Sequence, residues 1–581
     1  MPIYLRDDGN DANDGSSDAL AVATPARVEQ LIGGSTTGQI VLAACNDAWS
    51  NTNWEVTFGG TSGSPGTIEA YYMSGGSPVI GVSGAKPRFN GIYNPASPPA
   101  SCGLPDDGVF NVRDYNGQQY VRFRNLDVRF GYRGLNLWRS NQEILNCDIS
   151  DIYSEGIFWG FGYSNFTLAD STITGTGRYA SAHGCGWTVG TGAALMTAGG
   201  TVNVQRNRFD QCPMEGVLLQ ERLASDPPTY LIEDNELALC LSGAIYIAST
   251  ANVTVRRNLI YSYAKSGWTD FNAGINVAYE DWTNRVPCDN ISIYNNLIAN
   301  KIYGMAWGGD FSTSESYDNN LVYHNTVVEC DYAMAIWSSF HSAAMFTNSF
   351  FRNNLFQRYT TGVMQWDTNG TQYATATWSN NHFTDTPPAF AQGSGDTSGD
   401  ALLSKSAGWR AISALGDVTA LDFALTVSSP CIDAALDIAT YSDEDYLEVA
   451  RGSSPDIGAL EYVGVDGGES HLAASASVQA VSYAIVAAAG SMAASAIAAA
   501  TSAEVSDVSD VTISCQSVVS GVSVISVTAA ALITATLSPN IVPRSVPGSD
   551  ASLSASSSLT GRGRSRMVDK RMLGNKRAVA P

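Results

Sequence analysis

Between residues 120 and 385 one short phrase keeps returning: an alternating strand, then an asparagine, then an apolar residue two positions on. It reads Val-Asn-Val-Gln-Arg-Asn at 202–207, Val-Thr-Val-Arg-Arg-Asn at 253–258 and Ile-Ser-Ile-Tyr-Asn-Asn at 291–296. Asn207, Asn235, Asn258, Asn296, Asn325, Asn354 and Asn381 stand 28, 23, 38, 29, 29 and 27 residues apart. A period of that size implies a solenoid whose coils each contribute a few short strands and stack on their neighbours. Residues at one coil position then recur at ~4.8 Å, the spacing of strands in a sheet. Asparagine in such a column passes amide hydrogen bonds from coil to coil. Less strict versions of the phrase run through Asn146 and Asp170. The expected fold is all-β, a parallel β-helix over 35–384.

A second strand in each coil follows a small residue, as at Gly134, Gly156, Gly216, Ala244, Gly304, Ala333 and Gly362. Strand alternation sends the first and third residues after it inward, and the second and fourth outward. That predicts Trp159 and Trp307 in the core, and Trp138, Trp337 and Trp366 outside. On this count Trp337 and Trp366, 29 residues apart, share one column with Trp138. Aromatic faces exposed on a polar groove stack on sugar rings, so these three and Tyr246 are candidate carbohydrate-binding residues. A covering loop or a neighbouring subunit would use such faces equally well. Cys212, Cys240 and Cys330 each follow a ladder asparagine by five residues and should form one column of buried, reduced thiols.

The open ends of a β-helix need covers. In front, residues 1–34 supply a cap. Thr24 suits a helix N-cap and Pro25 its first turn, and the apolar face that follows is Val28, Leu31 and Ile32. Behind, residues 385–464 form the closing segment. Beyond it the composition changes abruptly. Residues 465–545 are mostly Ala, Ser and Val, with alternating stretches that read as small-residue β-strands needing a partner surface. Residues 546–581 end in a basic tail on a chain of net charge −23. That charge disfavours nucleic acid or an anionic membrane surface as a general partner. The first residues show no basic or apolar leader region, so no export leader is expected. The Ala-rich stretch 483–500 is too weakly apolar to be expected to span a membrane.

Tyr-Leu-Arg-Asp-Asp-Gly at 4–9, followed by a capping helix, resembles the opening of right-handed, pectate-lyase-like β-helix proteins. Ser-Pro-Cys-Ile-Asp at 429–433, with Arg451 and Pro-Asp-Ile-Gly-Ala-Leu-Glu-Tyr at 455–462, resembles their closing segment. The resemblance covers residues 1–464 and implies the fold. It leaves the activity open, because the group includes polysaccharide lyases, glycoside hydrolases, epimerases and non-catalytic virion spikes. A β-helix with a foreign C-terminal appendage is also similar to bacteriophage tail spikes and tail fibres. This second likeness implies a virion tail protein, made in the host cytoplasm and extracellular after lysis. It would be a homo-oligomer that contacts host surface polysaccharide and joins other virion proteins through 465–581. A lyase or glycoside hydrolase acting on acidic or capsular glycans is the competing expectation, and a purely structural virion component a third.

Two coils are expanded, 174–200 and 265–289, and long loops on a rigid solenoid are where function concentrates. Glycoside hydrolysis needs two carboxylates, which Asp270, Glu280, Asp281 and Asp310 could supply across neighbouring coils. Lyase chemistry needs a cation and a Lys or Arg base, with Lys265, Arg285 and Lys301 the nearby candidates. Residues 7–14 fail the spacing of a calcium loop and read as turns capped by Asn and Asp side chains. The five histidines show no metal-ligand pairing. No cofactor or metal is expected.

Overall fold

A computed structural model describes residues 2–93, 108–113, 119–177, 190–221, 228–265, 273–280, 286–308, 317–336, 346–366, 375–438 and 443–463, and five short strands between 512 and 555. The first of two compact units comprises 1–446 and 450–464. Its coils are built of short strands, and residues of left-handed backbone mark the bends between them. Asn252, Asn290, Asn319 and Asn348 make the first bend, Asn146, Asp234, Asn295 and Asn353 the second, and Asp151, Asn300, Glu329 and Arg358 the third. Asn and Asp tolerate this conformation best, which is why Asn is so frequent in the chain. Strands from the two sides of the first bend stack into a 23-stranded sheet, and those after the second bend into a 13-stranded sheet. Pairing between coils is parallel throughout; an antiparallel hairpin, Gly66–Ser74 with Ser77–Ile80, projects from an early coil.

The asparagine ladder forms as expected. Each Nδ2 donates to the Oδ1 of the next coil, at 3.1 Å for Asn207–Asn235, 2.9 Å for Asn235–Asn258 and 3.0 Å for Asn258–Asn296. Asn296–Asn325 and Asn325–Asn354 follow at 2.9 Å, and Asn354–Asn381 at 3.0 Å. The second hydrogen of each Nδ2 goes to a main-chain carbonyl, such as Val255 O for Asn296, so these buried amides are satisfied. Upstream the ladder continues one residue away from the sequence-level candidates. Ser171 Oγ and Cys147 hold the ladder position, whereas Asp170 and Asn146 are the left-handed bend residues just before them.

The interior is built of stacked apolar columns. Leu137, Trp159, Leu195, Leu219, Ile247, Val277, Trp307 and Ile336 pair in register from coil to coil and are all buried. Trp159 and Trp307 are thus core, as predicted. Trp366 is a correction. It pairs with Ile336, so its register position belongs to this inward column and not to the outward one expected for it. The cause is one extra residue in the third bend. From the paired Val328 and Gln357, the next register pair is reached at Tyr332 in one coil and Gly362 in the other. Cys212 and Cys240 are register partners, and Tyr263 and Lys301 occupy the two positions between them and Cys330. All three thiols are buried.

The N-terminal cap is the helix Pro25–Ile32, with Thr24 Oγ1 accepting from Arg27 N at 3.2 Å and Val28 fully buried. Residues 7–14 act as capped turns. Asn10 Oδ1 accepts from Ala12 N, and Asp11 Oδ1 from Ala23 N and Thr24 N. The closing segment does more than cover the last coil. It runs back along the flank of earlier coils, where Gly416 N meets Tyr261 OH at 2.8 Å, and Ala459 N meets Thr326 Oγ1 at 2.9 Å. Arg451 locks it there, donating to Asn295 Oδ1 and Gly458 O at 3.0 Å each and pairing with Glu461.

The second unit comprises 447–449 and 465–581. Within it Thr512–Gln516, Leu532–Thr536 and Leu553–Ala555 pair as parallel strands. Among the described residues no helix is long and apolar enough to cross a membrane; the stretch 483–500 lies outside them.

Candidate functional site

The outward face of the large sheet carries three columns of side chains before the first bend. One contains Arg133, Glu155, Thr191, Glu215, Gly243, Ala273, Tyr303 and Tyr332; Gly243 pairs with both Glu215 and Ala273. The next contains Asn136, Phe158, Ala194, Leu218, Tyr246 and Asn276. The third contains Gln220 and Ala248, and Trp138 heads it. Alternation puts them here because Ile245 and Ile247, on either side of Tyr246, fill the interior.

Toward the N-terminal coils this face is closed upon itself. Asn111 Nδ2 donates to Asn53 Oδ1 at 2.7 Å, and Asn136 Nδ2 to Asn111 Oδ1 at 3.3 Å. Arg133 donates to Asn136 Oδ1 at 3.2 Å, pairs with Glu155 at 2.9 Å, and lies 3.9 Å from the centre of the Phe158 ring. Trp138 is half-buried. It packs on Phe158 at 5.3 Å between ring centroids, and its Nε1 donates to Asn136 Oδ1 at 2.9 Å. A Cβ on Gly160 would come within 2.5 Å of the indole, so the glycine makes room for it. This tryptophan lies outside the core as predicted, but flat against the next coil.

Farther along, the structure brings two sequence candidates together. The Tyr246 hydroxyl donates to Glu280 Oε1. Glu280 is anchored by its backbone: its N–H donates to Ser249 Oγ at 2.9 Å, and Ser249 Oγ donates to its carbonyl at 3.2 Å. Burial and the nearby Glu280 carboxylate push the Tyr246 phenol well above its usual range. A third group, missed in the sequence, completes the cluster. Glu215 is 4% exposed and accepts from Thr191 Oγ1 at 2.8 Å. Burial pushes its carboxyl up against the opposing Thr191 hydrogen bond, and the charge of Glu280 adds to the rise. Three and four coils on from Glu215, Tyr303 and Tyr332 stack at 5.8 Å in the same column, forming an aromatic edge that the sequence reading also passed over. The available signal was position: each residue immediately precedes the small residue that opens its strand.

Other candidates fall elsewhere. Lys301 is 1% exposed, and its ammonium donates to Cys240 O at 2.7 Å and Ser262 Oγ at 3.0 Å. It sits in the column of Cys240 and Cys330, just after the third-bend residue Asn300, and is a structural cation instead of an accessible base. Asp270, Asp281, Asp310 and Trp337 lie outside the described residues, as does the side chain of Trp366. The oxygens of Asp7, Asp8 and Asp47 lie within 4.8 Å of one another. Asp7 and Asp47 already accept main-chain hydrogen bonds, at 3.1 and 3.0 Å, and Asp8 pairs with Arg6 at 2.9 Å.

Residues 114–298 match a family model described as a right-handed beta helix region. The fold is a right-handed parallel β-helix. No curated protein matches this β-helix chain. Among solved structures, the PL6 family alginate lyase AlyGC aligns with 90% of this chain and 68% of its own, at 14% identity and a TM-score of 0.40. Pectate lyase Pel9A aligns over 79% and 97%, at 15% identity and 0.38. An alginate lyase from Paenibacillus sp. str. FPU-7 aligns over 59% and 96%, at 13% identity and 0.35. None of these carries a reaction over to the present β-helix.

Proposed function

We propose that this β-helix is a glycan-processing protein that hydrolyses glycosidic bonds on its outward face at Tyr246, Glu280 and Glu215. The observation that carries this reading is the contrast between two neighbouring carboxyls. Glu215 is pushed toward its protonated form by burial, whereas Glu280 Oε1 accepts a hydrogen bond from the Tyr246 hydroxyl. A carboxyl held toward its protonated form and a second one oriented beside it can serve as the acid and base that glycoside hydrolysis needs. The acid protonates the leaving oxygen, while the base takes a proton from the water whose oxygen bonds to the anomeric carbon. Tyr246 fixes the orientation of Glu280.

The test is reducing-end release from purified polysaccharides. Glu280→Gln should lower kcat by about a thousandfold, as loss of a general base does. Tyr246→Phe should lower it less. Glu215→Gln should abolish the alkaline limb of the pH profile, because raising the pH through the elevated Glu215 value removes the acid's proton. Full activity in Glu280→Gln would reject the assignment. A second reading, a virion tail protein that binds surface polysaccharide without cutting it, is favoured by the separate C-terminal unit of short parallel strands. On that reading wild type and Glu280→Gln both bind glycan and neither releases product.

A further inference from the structure

Two amide atoms beside Tyr246 are buried without a hydrogen-bond partner. Asn276 is the register neighbour of Tyr246 in the next coil, and its Oδ1 is buried without a hydrogen bond. Gln220 stands on the same outward face one coil before Tyr246, two residues past the register partner Leu218. It is 4% exposed, and its Nε2 is likewise unpartnered. Leaving a buried polar end unmade is costly, so such groups are rare without a reason. The same face shows what satisfaction looks like a few coils upstream, where Asn53, Asn111, Asn136, Arg133 and Glu155 bond one another. The unmade bonds flank the tyrosine that holds Glu280.

The chemistry of these groups defines what would complete them. An uncharged amide offers a donor and an acceptor, and swapping its two ends changes neither. A sugar hydroxyl also does both. A carboxylate ligand only accepts, and it would bring a further carboxyl to a face where Glu280 already stands close enough to the buried Glu215 to raise it. We infer that Gln220 and Asn276 are specificity residues that bind the hydroxyls of a neutral sugar unit at the Tyr246 site and select it over a uronate. This inference rests on the glycan-processing reading above.

The experiment uses the full chain and a panel of neutral polysaccharides beside polygalacturonate and alginate. Wild type should release product from a neutral member and not from the polyuronates. On that substrate Gln220→Ala and Asn276→Ala should each raise KM about tenfold, the equivalent of one lost hydrogen bond of ~1.4 kcal/mol, with kcat within about threefold. Both variants should keep the wild-type circular dichroism spectrum and melt no lower, since each removes an unsatisfied polar group. Preferred release from a polyuronate, or unchanged KM in both variants, would overturn the inference while leaving glycan processing intact. Failure of the underlying reading looks different: wild type then neither binds nor cleaves any member of the panel, and the inference falls with it.

Discussion

Glu221 points into the solenoid one residue past Gln220, where Tyr230 also ends. Its Oε2 and the Tyr230 hydroxyl are both buried without partners. Burial pushes the Glu221 carboxyl up to about 7, against the one amide of Ala251 that opposes the rise. An unfolded glutamate titrates near ~4.3. Between those values the folded chain holds a proton that the unfolded chain has released. Its contribution to stability is therefore full below ~4.3, is lost as the pH rises toward 7, and is flat above. The thermal midpoint should fall over that interval, and Glu221→Gln should flatten part of the fall. An unchanged slope in the variant would show that the carboxyl is solvated.

At the scale of the element, the returning segment shows how one side chain holds a length of chain with little regular structure. Arg451 is 3% exposed at its side chain and bonds to Asn295, Gly458, Asp456 and Glu461. Arg451→Ala should destabilise the protein by about 3 kcal/mol, the usual result of removing one partner from a buried ion pair. Proteolysis should then cut first within 433–462. Equal cleavage of variant and wild type would show that the segment docks without this residue.

How far sequence foretold structure also divides by element. The ladder from Asn207 to Asn381 was legible because the same residue performs the same bonding in every coil. The second bend was not, because a left-handed backbone is filled by Asn146, Asp170, Arg206 and His324 alike. Trp366 was misplaced because alternation counts residues faithfully only until a bend gains one. Glu280 and Tyr246 were legible as a loop acid and an outward aromatic. Glu215 was not, since a carboxyl in a strand looks no different from the salt-bridged Glu155 in the same column. What separates them is whether an arginine stands in the adjoining coil, and that is a property of stacking.

On the scale of the whole molecule, a solenoid is stabilised coil by coil through nearest neighbours. The first unit has its own ladder, core and covers, all within residues 2–463. A chain ending at Val463 should therefore melt within about 2 °C of the full protein, a shift below ~1 kcal/mol for a body of this size. A large drop would mean that 465–581 contributes to the stability of the coils.

The ladder has one further consequence. From Asn207 to Asn354 each Nδ2 donates toward the later coil, so the amide dipoles lie head to tail and add, as peptide dipoles do in a helix. The column thus behaves as an electret, a permanent polarisation frozen into the core by uncharged side chains. Its positive pole lies at Asn381, and the next group in line, accepting Asn381 N at 2.9 Å, is the carboxyl of Asp396. Where a helix would recruit an anion to its N-terminus, this chain meets its positive pole with an acid drawn from its own closing segment.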